Sequence, residues 1–104
     1  MKNKFHIYGG SGFIGTHLVQ QLLGQNQKLV NLDINGPVDQ DQKSFHFNCD
    51  VRRPIPEKSA KNTQTIFNLA AVHRTPGHLS EEYFETNILG AQNVCDFARE
   101  NNIN

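Results

Sequence analysis

The stretch Tyr8-Gly9-Gly10-Ser11-Gly12-Phe13-Ile14-Gly15-Thr16 constrains the fold more than any other part of the chain. Before it, Phe5-His6-Ile7-Tyr8 is short, aromatic and β-branched, which reads as a buried strand. After it, from Phe13 to Leu23, Ile14, Leu18 and Leu22 recur at helical spacing, Val19 and Leu23 widen the stripe, and Gly24 stands where a helix C-cap is expected. A glycine turn joining a strand to a helix brings backbone N–H groups to the positive end of the helix dipole, where they attract phosphate. Two registers overlap here: Gly10-x-Gly12-x-x-Gly15 and Gly9-x-x-Gly12-x-x-Gly15. Each supplies a glycine for the sharp turn, one for backbone contact with a pyrophosphate and one for close helix packing.

The next segment adds an acid in the right place. Lys28-Leu29-Val30-Asn31-Leu32-Asp33 reads as a second strand, parallel to the first through a right-handed crossover. Asp33 closes it, at the distance from the turn where a carboxylate meets ribose hydroxyls. A triphosphate-binding loop is excluded, because Thr16-His17 stands where its Lys-Ser/Thr is required.

Further on, Asn35 to Gln42 is polar and reads as a surface loop. Phe45-His46-Phe47 reads as a third strand ending at Cys49-Asp50-Val51. Pro54 and Pro56 leave room for one helical turn at most before a fourth strand, Thr65 to Leu69, which Ala70-Ala71-Val72 extends. Thr75 to His78 reads as a loop. Ser80-Glu81-Glu82 then opens a long helix with a cap and two acids in its first turn. Along it Phe84, Ile88, Ala91, Cys95 and Ala98 form one apolar stripe, Tyr83, Asn87, Gly90, Val94 and Phe97 an adjacent one, and Asn101-Asn102 marks a frayed end. The expectation is a single α/β domain over residues 1–104 with a Rossmann-like parallel sheet in the order 3-2-1-4.

Composition narrows the partners. Ten basic and ten acidic residues cancel, which argues against nucleic acid. No apolar run approaches the ~20 residues of a membrane span, and the N-terminus lacks a signal-peptide core, so a cytoplasmic protein with no membrane partner is expected. Cys49 and Cys95 form no C-x-x-C pair and read as reduced thiols. His6, His17, His46, His73 and His78 lack the spacing of metal ligands, and no metal site is expected. His73, just past the end of the fourth strand, reads as a loop residue with a cofactor-side contact as the alternative. Arg52-Arg53 reads as a solvated loop, with a cofactor phosphate as the alternative.

Together the glycine turn, Asp33, Cys49-Asp50-Val51, Asn68-Leu69-Ala70-Ala71 and Asn87-Ile88-Leu89-Gly90-Ala91-Gln92-Asn93-Val94 resemble the N-terminal part of the extended short-chain dehydrogenases, the NAD-dependent nucleotide-sugar epimerase/dehydratase family. The resemblance implies NAD as cofactor. Gly9, Gly12 and Gly15, with the intervening amides including those of Phe13 and Ile14, would hold the pyrophosphate, while the Phe13 and Ile14 side chains are read as core. Asp33 would hold the ribose, Asp50 and Val51 the adenine edge, and Leu69, Ala70 and Ala71 the nicotinamide side. Asn87 would be a structural or water-binding residue. The charge of Asp33, with no Arg in Ile34-Asn35-Gly36, favours NAD over NADP. Tyr8 stands where the family usually has Thr, a difference expected to touch turn packing.

Members of the family do their chemistry with a Tyr-x-x-x-Lys pair and an upstream Ser or Thr, located after the helix that ends this stretch. Tyr83 is followed four residues later by Asn87 and reads as a packing residue with a wet hydroxyl, so no catalytic residue is assigned. The chain therefore reads as the NAD-binding portion of such an enzyme, truncated after its fourth strand and following helix and inactive alone. The alternative is a structural or regulatory protein on a degenerate Rossmann scaffold. Under either reading the apolar edge of the fourth strand favours a homo-oligomer.

Overall fold

A computed structural model of the chain describes residues 4–56, 62–71 and 80–103. The expectations for Val72, His73 and the loop from Thr75 to His78 lie outside the described residues, as does most of the connection from Glu57 to Asn62. Strand β1 (Lys4–Tyr8) pairs in parallel with β2 (Lys28–Asp33) on one side and β4 (Thr63–Asn68) on the other, and β3 (His46–Asn48) pairs in parallel with β2. The order β3-β2-β1-β4 is the expected one. In register Tyr8 lies opposite Leu32 and Asn68, and Asp33 opposite Asn48, so the four strands finish at one edge of the sheet.

Strand alternation sorts the core into two layers. Ile7 and Leu29 face helix α1 (Phe13–Gly24) and pack with Val19, with Phe45 and Phe67 against them. Tyr8 and Leu32 face the other way and pack with Cys49, Val51 and Val94, the last from helix α3 (Ala91–Glu100). Tyr8 is fully buried in this second layer, its hydroxyl has no hydrogen-bond partner among the described residues, and burial pushes the phenol well above its ordinary pKa.

Several boundaries differ from the sequence reading. Helix α1 ends in a left-handed residue at Asn26 (φ 58°), with Asn26 N–H donating to Leu23 O and Gln27 N–H to Leu22 O. This is a Schellman cap made by asparagine, two residues later than the cap expected at Gly24. The same motif recurs at the far end of α3, where Asn102 (φ 55°) donates to Arg99 O, and Ile103 donates to Ala98 O and is buried. The expected fraying at Asn101-Asn102 is thus a built cap. A 3-10 turn, Gln40–Phe45, replaces part of the expected loop because Gln42 is buried and donates to Thr16 O at 3.2 Å. Strand β3 stops at Asn48, and β4 runs from Thr63 to Asn68, leaving Leu69, Ala70 and Ala71 irregular.

The last helical region is helix α2 (Ser80–Tyr83), a π-helical segment (Phe84–Gly90) and then α3. The i→i+5 pattern widens each turn, which breaks the 3.6-residue stripe assumed across this region. Gly90, Val94 and Phe97 are buried, whereas Phe84 and Ile88 are 52% and 55% exposed and Cys95 is exposed. From Gly90 onward it is the second stripe, through Gly90, Val94 and Phe97, that is buried.

Candidate functional site

The common edge where the strands end opens into a cleft of about 720 Å³. Open parallel sheets bind ligands at this position, outside the carboxyl ends of the strands. Its floor is the glycine turn. Gly9 N–H donates to Leu32 O and Leu69 N–H to Tyr8 O, so the ladders of the neighbouring strands continue into the turn.

The four glycines of the turn differ in what they do for the fold. Gly9 has φ +80°, and a Cβ on it would lie 2.6 Å from Ala70 N. A Cβ on Gly15 would lie 2.4 Å from Gly9 O, and one on Gly10 would lie 2.4 Å from Asn31 Oδ1. These three are required by close approach within the chain itself. Gly12 is different: its backbone is extended (φ −77°, ψ −176°), and among the described residues a Cβ there would meet only Gly9 O, at an ordinary 3.5 Å. Gly12 is the N-cap of α1 and provides no side-chain cap, and the first turn of the helix carries no acid. The N–H groups of Phe13, Ile14 and Gly15 have no carbonyl four residues back inside the helix, so they face the cleft as a bare cationic end.

All eleven residues named from the sequence line this one cleft: Gly9, Gly12, Phe13, Ile14 and Gly15 from the turn, Asp33 from β2, Asp50 and Val51 after β3, and Leu69, Ala70 and Ala71 after β4. The core reading of the Phe13 and Ile14 side chains is overturned, because they are 82% and 67% exposed. The first turn of α1 projects past the end of the sheet, so its apolar residues border the cleft and have no sheet beneath them. Phe13 instead packs edge-on against the His17 ring.

Asp33 is held in place. Its Oδ2 accepts the Ser11 N–H at 3.0 Å, and its Oδ1 accepts the Asn35 N–H at 2.9 Å. Asp50 accepts from the Arg52 backbone N–H and from Arg52 Nε and Nη2 at 2.8–3.2 Å. That pairing holds the Asp50 carboxyl below its usual range. Arg52 and Arg53 are exposed in the turn after β3, in line with the solvated-loop reading, and Arg52 also borders the cleft as the partner of Asp50. Val51 is buried, its carbonyl accepts Asn93 Nδ2 at 2.8 Å, and its side chain lies under Gly90. Cys49 also borders the cleft, where burial first and Asp50 second push its thiol pKa up.

Sequence reasoning missed some of the wall. Glu82 and Thr86 enter from the last helical region, brought there by the π-helical turn. Asn31 was passed over as an ordinary strand residue, yet it is fully buried and its Nδ2 donates to Ser11 Oγ at 2.9 Å. A polar residue at an inward strand position was the available signal. Tyr83 is half-buried and stands apart from the cleft lining, and Asn87 is exposed in the π-helical segment. Among the described residues no group of His, Cys, Asp and Glu is arranged to hold a metal, and no helix is long and apolar enough to cross a membrane. His6 is buried in the sheet, and His46 bonds Asp33 O at 2.9 Å.

Comparison with known proteins places the chain among relatives. Residues 5–104 match the sequence model of the NAD dependent epimerase/dehydratase family. The chain is 31% identical over 108 aligned positions to D-erythronate dehydrogenase of Haemophilus influenzae, covering 95% of this chain and 34% of that protein. It is 29% identical to the human sterol-4-alpha-carboxylate 3-dehydrogenase, decarboxylating, covering 90% of this chain and 25% of that one. Among solved structures, MoeE5 in complex with UDP-glucuronic acid and NAD superposes with a TM-score of 0.81 at 26% identity, over 96% of this chain and 34% of that one. The chain thus spans about a third or less of the length of these relatives.

Proposed function

The chain belongs to the NAD dependent epimerase/dehydratase family, and from that premise we propose that residues 1–104 are the NAD-binding portion of an oxidoreductase acting on a nucleotide sugar. The observation that carries the reading is Gly12. Neither its backbone conformation nor its packing calls for a glycine, yet a side chain there would project from the N-cap of α1 into the cleft. A bare position at that point suits a pyrophosphate resting on the helix amides. The cleft volume lies within the range of cofactor sites.

In this reading the turn with Gly9, Gly12 and Gly15 and the amides of Phe13 and Ile14 hold the pyrophosphate. Asp33 holds the adenosine ribose, Asp50 and Val51 border the adenine, and Leu69, Ala70 and Ala71 line the nicotinamide side. Bound NAD would supply hydride acceptance. The residues here bind and orient it, and the exposed Phe13 and Ile14 side chains at the rim limit water access. Neither tyrosine has a lysine four residues on, so these residues alone are proposed to bind cofactor without turnover. The nucleotide-sugar assignment is supported by the ligand named for MoeE5. A cytoplasmic location is supported by two free cysteines, one of them exposed.

Isothermal titration with NAD tests the reading. The unaltered chain is expected to bind, and Gly12→Val to lose binding while keeping its circular dichroism and melting temperature. Absence of binding by the unaltered chain would overturn the proposal. A homo-oligomer is also proposed, because among the described residues β4 is the outer strand of the sheet, and an outer strand offers backbone groups for pairing; a monomer by light scattering at high concentration would refute it.

A further inference from the structure

The glycine turn is gripped from below by two side chains of β2. Asp33 Oδ2 takes the Ser11 N–H at 3.0 Å, and Asn31 Nδ2 donates to Ser11 Oγ at 2.9 Å. Asn31 is 0% exposed, sits two residues before Asp33 on the same face of the strand, and lies against the turn so closely that a Cβ on Gly10 would overlap its amide. Among the described residues its Oδ1 has no hydrogen-bond partner. A buried amide with one orphaned oxygen is unfavourable for folding compared with an apolar side chain of similar size. The strand neighbours Leu29, Val30 and Leu32 show what folding alone selects there.

We infer that Asn31 is a positioning residue for the anion-binding turn: by holding Ser11 from beneath, it fixes the direction of the amides that follow at the start of α1. The inference rests on the cofactor reading above and deepens it. Asp33 alone fixes one atom of Ser11, its nitrogen, about which the residue can still pivot. The second bond, to the side-chain oxygen, removes that freedom, and a preorganised array binds its anion without a further ordering cost. The contribution falls on the pyrophosphate and not on the adenosine, whose proposed contacts are Asp33 for the ribose, still held through the Asn35 amide, and Asp50 and Val51 for the adenine.

The experiment compares binding of ADP and of adenosine, by titration calorimetry, to the unaltered chain, Asn31→Val, Ser11→Ala and the double variant. Asn31→Val is expected to weaken ADP about fivefold, leave adenosine unchanged, and leave the melting temperature equal or higher because the orphaned oxygen is gone. Ser11→Ala, which removes the acceptor without touching the core, is expected to weaken ADP by a similar factor, and the double variant to lose no more than either alone. Unchanged ADP binding in both single variants, parallel loss of ADP and adenosine, or additive losses in the double variant would overturn the inference. Failure of the unaltered chain to bind ADP at all would instead overturn the cofactor reading, and the inference with it.

Discussion

His6 makes stability depend on pH. It lies in β1 at 1% exposure, with Nε2 bonded to Thr63 Oγ1 at 3.0 Å and Nδ1 without a partner among the described residues. Adding a proton would place a charge in a desolvated layer beside the Tyr8 ring, with the positive charge of Lys4 nearby. Burial first, and Lys4 second, bring its pKa from 6.5 down to about 4. In the unfolded chain the ring takes up a proton near pH 6.5, whereas in the folded chain it does so only near pH 4. Between these values the unfolded state binds more protons, so stability is complete above pH 6.5 and declines as pH falls toward 4. At about 1.4 kcal/mol for each pH unit between the two values, the full loss is about 3 kcal/mol. That is a large part of the 5–15 kcal/mol by which domains are usually stable, as a rough comparison. Urea unfolding at intervals from neutral pH downward, on the unaltered chain and on His6→Gln, measures it. The glutamine can keep a bond to Thr63 and does not titrate, so its curve is expected to be markedly flatter across this window whatever its absolute stability. Below it the two curves should run in parallel, as the Asp50 carboxyl, held low by Arg52, begins to protonate. Equal slopes for the two proteins, or an NMR titration of the His6 ring near 6.5, would refute the reasoning.

Two further outcomes follow from the cleft. Gly15→Ala places a Cβ 2.4 Å from Gly9 O and 2.6 Å from Gly10 Cα, backbone atoms that cannot move aside, so a loss of about 2–4 kcal/mol is expected in denaturant unfolding. Gly90→Ala meets the Val51 Cγ2 methyl at 2.7 Å, which can rotate, and should cost only about 1 kcal/mol; equal losses would show that the turn is not rigid. Asp33→Asn removes the charge at the ribose end and is expected to reduce a preference for NAD over NADP by roughly tenfold, read from the ratio of the two dissociation constants. An unchanged ratio would remove Asp33 from the specificity argument.

The parts of the fold legible in the sequence are those where one local signal agrees with one tertiary requirement. The parallel pairing of β1 with β2 is legible because the glycine turn, the α1 stripe and Asp33 all need the same strand–helix–strand unit, and the eleven residues read as cofactor contacts all line one cleft. What was illegible depended on position relative to the sheet. Ile14 has the helical spacing of a core residue, but the first turn of α1 lies beyond the strand ends, and periodicity carries no information about where a helix overhangs its support. Of the two stripes read along the last helical region, the one containing Phe84 and Ile88 is exposed there because a π-helical turn resets the phase, and nothing in Phe84 to Gly90 announces one. Gln42 and Asn31 look like loop and strand polar residues in sequence. Their roles become visible only once a carbonyl at Thr16 and a hydroxyl at Ser11 stand next to them.

Asp33 shows why the turn and the acid belong to one device. An ionised carboxylate offers about four acceptor positions, and two are taken by the amides of Ser11 and Asn35, one on each oxygen. The residue proposed to meet the ribose is therefore the same one that holds the turn proposed to carry the pyrophosphate, and its carboxylate is aimed before any ligand arrives. Two acceptor positions remain, enough for a pair of vicinal hydroxyls. Removing the side chain would therefore loosen the turn as well as the ribose contact, so Asp33→Ala should weaken a ligand such as inorganic pyrophosphate, which has no ribose at all. Asp33→Asn, which retains one acceptor for the Ser11 amide, should largely spare it. That difference separates a side chain that only recognises sugar from one that also builds the site.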